Sequence, residues 1–303
     1  MVDFVIAGTF KGASSTLAFE LARHVEISIP NPKDPYFYLG SLDPGLTGPP
    51  DFMQGHRAGT VLDRRSFEAL FPDDDGATQK GDATPLYLYC HEHAIPAIQA
   101  DNPDTKIVII LRNPADRAFS NFNHNVKDGF EKRDFSVCVE NWEQTERYPL
   151  HPFFHYVRAG FYDAQVAAYQ AAFKHIKVIT YEQVVNDIHL ALNEIADFLG
   201  VEPGFERGRD AIRLNKSGSP RFPALHQFIL HENPIKSALR PLYRSLLRNP
   251  QARKRLAERV KNLNIESQEM LAVDRAELNA LYANDIASVS ERVGLDLATR
   301  WDL

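Results

Sequence analysis

Two segments of the chain place a short apolar strand directly before the start of a helix. The first is Phe4–Thr16, FVIAGTFKGASST, and the second is Lys106–Ser120, KIVIILRNPADRAFS. Apolar runs rich in β-branched residues are typical of strands buried on both faces, as in parallel sheets covered by helices. The repeated strand–helix order therefore predicts an α/β fold whose central parallel sheet is flanked by helices on both faces.

The rest of the sequence extends this pattern. Strands are predicted at 2–7, 106–111 and 177–181, and helices at 114–126, 134–147, 160–173 and 185–199, with a mostly helical part after residue 223. Residues 31–60 are rich in Pro, Gly and Asp and are predicted to form a long loop. A chain of 303 residues without internal repeats fits one domain, 1–303, better than two small ones.

Bulk composition excludes several classes of protein. The net charge of −6 argues against a partner that is nucleic acid or another polyanion, because such partners need a basic surface. Cys90 and Cys138 have no zinc-ligand spacing, and two isolated thiols suit a reducing compartment. The sequence has no apolar run long enough for a membrane span and no signal peptide, so a cytoplasmic location is expected. A fragment of a membrane-anchored enzyme that lacks its anchor would show the same features.

The first strand–helix turn has the features of an anion site. Glycine lets the backbone approach a phosphate, and the free N–H groups of a helix start attract negative charge. Lys11 adds a mobile positive charge to this turn, and hydroxyl donors follow it at Ser14, Ser15 and Thr16. A capped helix start with a surface lysine would explain the same residues equally well.

This turn is not a nucleoside-triphosphatase loop. Such a loop reads G-x-x-x-x-G-K-[ST], whereas here Lys11 precedes Gly12 and no lysine follows. The strongest strand also ends in Arg112 and not in the aspartate that would hold Mg²⁺. Arg112 can bind a phosphate with two parallel N–H bonds, and Ser120 lies on the following helix. The alternative is an ion pair of Arg112 with Asp116 or another local carboxylate.

These motifs resemble those of sulfotransferases that use 3′-phosphoadenosine 5′-phosphosulfate. Lys11–Thr16, KGASST, is similar to the family's 5′-phosphosulfate loop, and Arg112–Ser120, RNPADRAFS, to its 3′-phosphate motif. Lys33–Tyr38, KDPYFY, and Gly81–Tyr87, GDATPLY, resemble segments of the carbohydrate-type branch, and Tyr181-Glu182 resembles a Tyr-Glu after a strand. The loop 215–221, NKSGSPR, resembles one that closes over the cofactor, and the tail from Leu278 to Trp301 resembles bacterial members.

The resemblance implies a P-loop-like sulfotransferase fold, 3′-phosphoadenosine 5′-phosphosulfate as donor, adenosine 3′,5′-bisphosphate as product, and no metal. Three departures from the family pattern are Ala13 for a second glycine, Asp34 for the usual Glu, and Ala83 for the lysine before Thr-Pro. The cofactor-binding residues implied by the resemblance are Lys11, Gly12, Ala13, Ser14, Ser15, Thr16, Arg112, Ser120, Tyr181, Lys216, Ser217 and Arg221.

Two residues are expected to carry the chemistry. Lys11 is assigned to the charge that develops on the leaving oxygen, and Asp34 to the proton of the attacking hydroxyl. Asp34 could instead cap a turn before Pro35. His91, His93 and His124 are alternative bases. Candidate acceptor-site residues are Tyr36, Phe37, Tyr38, Tyr87 and Tyr89, with Asp82 as a partner for an acceptor hydroxyl.

The sequence therefore predicts an enzyme that moves a sulfuryl group in line to a hydroxyl of a carbohydrate, lipid or small metabolite. A heparan-like polyanion is disfavoured as acceptor by the net charge. A small-molecule kinase is the first alternative, but its loop and metal-binding carboxylate are missing. A non-catalytic nucleotide-binding protein of the same fold is the second. The acceptor's identity and the oligomeric state are left open.

Overall fold

The computed structural model describes residues 1–30, 33–40, 42–71, 76–205, 219–220, 265–266 and 268–302. A parallel sheet of five strands forms its centre, with the order β2–β3–β1–β4–β5. The strands are β1 Phe4–Ile6, β2 Ile27–Ser28, β3 Gln79–Asp82, β4 Lys106–Leu111 and β5 Ile176–Thr180. Ser219–Pro220 (β6) and Ile265–Glu266 (β7) pair antiparallel as a separate ribbon. The predicted α/β architecture is confirmed.

Helices cover both faces of this sheet. The α-helices in the described ranges are α1 Ser14–Leu21, α2 Pro50–Gly59, α3 Arg64–Glu68, α4 Leu86–Tyr89, α5 His91–Asp101, α6 Pro114–Asp128, α7 Phe135–Glu140, α8 Trp142–Thr145, α9 Asp163–Ala172, α10 Tyr181–Asn186, α11 Ile188–Leu199, α12 Ala272–Val293 and α13 Leu297–Arg300. Short 3₁₀ turns lie at Phe37–Leu39, Asp43–Gly45, Pro152–Phe154 and Arg158–Gly160. None of the helices in these ranges is long and apolar enough to cross a membrane.

Successive residues of the central strands pack alternately into two separate hydrophobic cores, one on each face of the sheet. Ile6, Val108 and Ile110 pack on one face, together with residues of α1 and α11. Val5 and Ile109 pack on the other face, together with residues of α5, α6, α9 and α12. Because successive strand residues point to opposite faces, a strand covered on both faces must be apolar at every position. This explains why polar residues do not alternate with apolar residues along β4.

The strand order determines which loops lie together. β1 is hydrogen-bonded to β3 on one side and to β4 on the other, with Val5 opposite Asp82 and Ile6 opposite Val108. Since all three strands are parallel, the segments that follow them leave the same edge of the sheet. The segments after β1, β3 and β4 are therefore neighbours, with Lys11 in the middle of the three.

Several predicted boundaries were wrong. The helix predicted at 185–199 is two helices, α10 and α11, because the Asp187 side chain accepts from the Leu190 N–H and starts a second helix. The predicted helix at 134–147 is likewise divided into α7 and α8. The predicted loop at 31–60 contains α2, which starts at Pro50, a residue suited to the first helical position. The single-domain assignment stays a prediction.

Candidate functional site

The turn after β1 has an unusual backbone. Lys11 and Ala13 both have positive φ angles, 64° and 69°, on either side of Gly12. A Cβ at Gly12 would lie 2.9 Å from the Thr9 carbonyl oxygen, so no side chain fits there without displacing backbone. The Gly12 N–H in turn donates to that same oxygen, at 3.0 Å. The result is a tight loop that exposes its backbone to a ligand.

Helix α1 begins at this loop without a side-chain cap. Its N-cap residue is Ala13, which has no polar side chain, and no acidic residue lies in the first turn. The first N–H groups of an α-helix have no partner within the helix. The N-terminus of α1, with Ser14 buried and Ser15 and Thr16 partly exposed, is therefore suited to bind an anion. This agrees with the sequence-based interpretation of a phosphate loop.

Arg112 reaches from the end of β4 to the loop after β1. Its Nη1 donates to the Lys11 carbonyl oxygen at 2.8 Å, and its guanidinium lies 4.2 Å from the centre of the Tyr181 ring. The buried Tyr162 hydroxyl donates to the Arg112 carbonyl oxygen at 2.9 Å. The two predicted anion motifs and Tyr181 are therefore held together by direct contacts.

The alternative partner of Arg112 is excluded by the contacts of α6. Asp116 Oδ1 accepts from Arg275 Nη2 at 2.6 Å. The Asn113 side chain caps α6 by accepting from the N–H groups of Ala115 and Asp116. The start of α6 is therefore already satisfied, in contrast to that of α1. An anion at this second motif must rely on the guanidinium and on side chains farther along α6.

A lysine that the sequence analysis missed completes a cationic cluster. Lys127 lies on α6, seven residues after Ser120, and both side chains are buried. Burial, followed by the nearby charges of Lys127 and Arg112, lowers the pKa of Lys11 from 10.5 to about 8, and Asp128 opposes this shift. The sequence could have indicated Lys127, because it lies seven residues, or two helical turns, after Ser120 and so falls on the same face of the helix.

Burial and the positive charges of Lys127 and Arg112 disfavour the charged form of Lys11 in the ligand-free protein. The low dielectric of a buried site strengthens this repulsion. An anion bound between Lys11, Arg112 and Lys127 would attract all three cations and so replace their mutual repulsion with a net attraction. The electrostatics of the cluster therefore favour a ligand with more than one negative charge.

Asp34 belongs to a second, acidic group at the end of β3. Its Oδ1 is paired with Lys33 Nζ, and burial raises the pKa of its carboxyl group against the effect of that lysine. Asp82 is fully buried, and burial raises its pKa to about 6, with a further contribution from Asp34. Because β3 adjoins β1, this group lies on the side of Lys11 opposite to Arg112.

Backbone strain is concentrated in these two groups. Among non-glycine residues of the described ranges, those with positive φ are Lys11, Ala13, Asp34, Tyr36 and Asp302. Such angles are unfavourable for residues with a Cβ and occur often where a site is held in a fixed geometry. Four of the five fall in the two segments to which the sequence analysis assigned the chemistry.

Part of the predicted acceptor wall belongs to the core. Tyr38 and Tyr87 are buried, and the two oxygens of Asp82 accept from the hydroxyls of Thr84 and Tyr87, at 2.8 and 2.7 Å. Asp82 is therefore not available to an acceptor, and that assignment was wrong. Phe37 is stacked on Phe67 at 4.1 Å. Tyr36 and Tyr89 remain partly exposed.

A row of aromatic rings extends from the acidic group to the residue before Lys11. We name it the aromatic row, and its members in order are Tyr36, His56, Phe52, Phe153 and Phe10. Successive ring centres are 4.7, 6.1, 5.3 and 4.9 Å apart. Tyr36 is close enough for the charge of Asp34 to raise the pKa of its hydroxyl, and Phe10 directly precedes Lys11.

The three alternative bases lie in different places. His124 is on α6 beside the cationic cluster: its Nε2 lies 3.5 Å from Asp128 Oδ2, and its ring centre lies 5.6 Å from that of Phe153. His91 and His93 start α5, and His93 lines a separate cavity. Lys216, Ser217 and Arg221 lie outside the described residues. Of their loop, β6 is described and packs against α6, the helix that carries Ser120.

Known proteins share this arrangement of sequence and fold. Residues 90–217 match the sulfotransferase domain family. A sulfotransferase from Alicyclobacillus acidocaldarius aligns over 100% of this chain and 99% of its own, with a TM-score of 0.74 and 26% identity. No curated protein sequence matches significantly.

More distant structures are also sulfotransferases. The sulfotransferase domain from the curacin biosynthetic pathway aligns over 93% of this chain and 98% of its own, at 13% identity and a TM-score of 0.44. Mouse sulfotransferase SULT7A1, complexed with PAP, aligns over 66% of this chain and 59% of its own, at 17% identity and a TM-score of 0.42.

Proposed function

We propose that this chain is a sulfotransferase dependent on 3′-phosphoadenosine 5′-phosphosulfate, and that it transfers the sulfuryl group to a hydroxyl of a sugar, lipid or small metabolite. The observation that carries this proposal is the contact of Arg112 Nη1 with the Lys11 carbonyl oxygen at 2.8 Å. This contact joins the two candidate anion motifs at one edge of the sheet and so supports a nucleotide ligand with phosphates on two positions.

The donor's two anionic ends have separate candidate sites. The loop Lys11–Ala13, the uncapped start of α1 and the hydroxyls of Ser14, Ser15 and Thr16 fit the 5′-phosphosulfate. Arg112, with Ser120 farther along α6, fits the 3′-phosphate. Tyr181, stacked on the guanidinium, holds it in place. Gly12 fits close backbone approach, since a Cβ there would collide with Thr9.

Lys11 stabilises the charge on the leaving oxygen. The donor supplies an activated sulfuryl group, and transfer leaves negative charge on the 5′-phosphate. The N–H groups at the start of α1 are fixed before the reaction, so they need little reorganisation. Lys127 adds a third positive charge near the same lysine. No covalent intermediate is required of any side chain in this scheme.

Asp34 accepts the proton of the attacking hydroxyl. Burial raises the pKa of its carboxyl group, which makes it a stronger base than an exposed aspartate. The group lies after β3, on the side of Lys11 away from Arg112, so donor and acceptor approach the lysine from opposite sides. In-line transfer needs the attacking and leaving oxygens on opposite sides of the sulfur, and this strand order is compatible with that geometry. The aromatic row offers an apolar surface between the two groups.

Two experiments test the proposed function, one of nucleotide binding and one of sulfuryl transfer. Adenosine 3′,5′-bisphosphate should raise the melting temperature of the protein in proportion to the logarithm of its concentration, and ATP with Mg²⁺ should not. Radiolabelled sulfate should pass from the donor to an alcohol in the wild type and not in Lys11→Met. Stabilisation by ATP with Mg²⁺ alone would contradict the assignment of the donor.

A further inference from the structure

Two neighbouring residues contact the segments that carry Arg112 and Tyr181. Arg300 is the last residue of α13, and Trp301 follows it and is buried. We name these two residues the clamp pair. Their hydrogen bonds to the segment of Tyr181 span about 120 residues of sequence. The contacts are therefore tertiary and tie α13 to the edge of the sheet where the two anion motifs meet.

Trp301 links the neighbour of Arg112 to the neighbour of Tyr181. Its indole Nε1 donates to Glu182 Oε2 at 3.1 Å, and its carbonyl oxygen accepts from Asn113 Nδ2 at 3.1 Å. Glu182 directly follows Tyr181, and Asn113 directly follows Arg112. One residue thus joins the segment of the guanidinium to the segment of the ring against which that guanidinium lies.

Arg300 binds on the other side of Tyr181. Its Nη1 donates to Thr180 Oγ1 at 3.1 Å. Thr180 is buried, ends β5 and caps α10, because its hydroxyl oxygen also accepts from the Gln183 N–H. The clamp pair therefore contacts both residues that flank Tyr181, Thr180 through Arg300 and Glu182 through Trp301.

The sheet places Arg112 and Tyr181 side by side. Leu111 and Thr180 are paired residues of the parallel strands β4 and β5, and Arg112 and Tyr181 each follow one of them. The guanidinium lies 4.2 Å from the centre of the Tyr181 ring. A long side chain that is oriented before binding loses less conformational freedom when the ligand arrives. The Tyr181 ring provides that orientation only while its own backbone is held.

The clamp pair lies beside one of the two phosphate sites. Its contacts are with segments that follow β4 and β5, whereas Lys11 and α1 follow β1. Since β4 lies between β1 and β5, these contacts are on the side of Arg112 away from the loop that contains Lys11. A loss of the clamp contacts should therefore disturb the site for the 3′-phosphate more than the site for the 5′-phosphate.

We propose that Arg300 and Trp301 are positioning residues for the 3′-phosphate of the nucleotide. By binding the neighbours of Arg112 and Tyr181, they hold the guanidinium in the orientation that receives the phosphate. This inference rests on the proposed function, which assigns the 3′-phosphate to Arg112. Loss of a clamp contact then weakens ligands that carry a 3′-phosphate and spares those that lack one.

Calorimetry on the full chain with adenosine 3′,5′-bisphosphate and adenosine 5′-phosphate tests this role. Trp301→Phe removes the indole N–H and keeps an aromatic ring, so it should weaken the bisphosphate about fivefold and the 5′-phosphate less than about twofold. Arg300→Met, at an exposed residue, should have the same selective effect. Trp142→Phe is the matched control, because that tryptophan packs on Phe161, and both affinities should stay unchanged.

Glu182 provides a conservative rescue that a general loss of stability would not show. Glu182→Gln keeps an oxygen that accepts from Trp301 Nε1 and should retain the wild-type preference for the bisphosphate. Glu182→Leu should lose that preference to the same extent as Trp301→Phe. Adding Trp301→Phe to Glu182→Leu should change little further, because the hydrogen bond is already absent.

Three results would overturn the positioning role. They are an equal loss of affinity for both nucleotides in Trp301→Phe and Arg300→Met, unchanged affinity for both, and identical behaviour of Glu182→Gln and Glu182→Leu. If Trp301→Phe does not fold, Arg300→Met and the Glu182 variants decide the question.

The wild type separates this failure from failure of the proposed function. If the wild type prefers the bisphosphate and the clamp variants keep that preference, the positioning role alone is wrong. If the wild type binds the bisphosphate no tighter than adenosine 5′-phosphate, Arg112 does not bind a 3′-phosphate, and the positioning role fails together with the proposed function.

Discussion

The lowered pKa of Lys11 should make nucleotide binding depend on pH. In the free protein this pKa is about 8, because of burial and the charges of Lys127 and Arg112. A bound phosphate favours the charged lysine and returns its pKa to the ordinary range or above. Above pH 8 the protein must therefore take up a proton when adenosine 3′,5′-bisphosphate binds.

The magnitude follows from proton linkage. Below pH 8 the free lysine is already charged and affinity is nearly constant, whereas above it Kd rises about tenfold for each pH unit. Between pH 7 and pH 10 the expected increase in Kd is about 100-fold, roughly 2.7 kcal/mol at 1.36 kcal/mol per unit. The ligand's phosphates are fully ionised above pH 7, since their second pKa is about 6, so they add little to this slope.

Calorimetry in buffers with different ionisation enthalpies measures both quantities. Near pH 8 about half a proton should be taken up for each bisphosphate bound, and Lys11→Met should abolish both the uptake and the slope. Lys174→Met is the matched control, because that lysine is 78% exposed and faces an exposed Asp104. A Kd that changes less than threefold from pH 7 to pH 10, or an unchanged slope in Lys11→Met, would show that binding is not linked to protonation of Lys11.

Three further results are expected from single substitutions. Gly12→Ala should weaken bisphosphate binding at least tenfold and leave the melting temperature of the free protein within a few degrees, because its Cβ meets the Thr9 carbonyl oxygen in the loop; wild-type affinity by calorimetry would count against the tight loop. Asp34→Asn should lower kcat by about 10²–10⁴ and leave bisphosphate affinity unchanged, whereas His124→Asn should retain most activity; the reverse result would move the base to His124. Lys11→Met should stabilise the ligand-free protein by about 1–3 kcal/mol at pH 7 in urea unfolding, because the folded pKa of this half-buried lysine lies below its unfolded value. That gain should shrink as pH rises from 8 to 10.5, and equal stability at pH 7 would argue against the repulsion.

The sequence determined the architecture more fully than the site. β4 is apolar from Ile107 to Leu111 because both sheet faces are covered, and this pattern predicts a parallel sheet. β2 and β3 were not predicted, since Ile27–Ser28 is too short and Gln79–Asp82 too polar to stand out. β3 nevertheless carries Asp82, whose neighbour Asp34 was assigned as the base.

The proximity of Lys11 and Arg112 could be predicted because both lie in segments that follow strands. Arg112 comes directly after β4 and Lys11 lies five residues after the end of β1, and adjacent parallel strands bring such segments together. The aromatic row could not be predicted, because it is built from distant segments. Phe52 and Phe153 meet at 5.3 Å through tertiary packing that no local sequence pattern indicates. Tyr87 was assigned to the acceptor site because aromatic spacing does not distinguish a wall from a core.

The proposed function requires that one adenosine nucleotide is held at its two phosphates by Lys11 and Arg112. Calorimetry with adenosine 3′,5′-bisphosphate, adenosine 5′-phosphate and adenosine 3′-phosphate measures the contribution of each phosphate. The bisphosphate should bind at least tenfold tighter than either monophosphate, and in Arg112→Met it should bind no tighter than adenosine 5′-phosphate. Equal affinity of the wild type for all three nucleotides would show that Lys11 and Arg112 do not hold the two phosphates of one ligand.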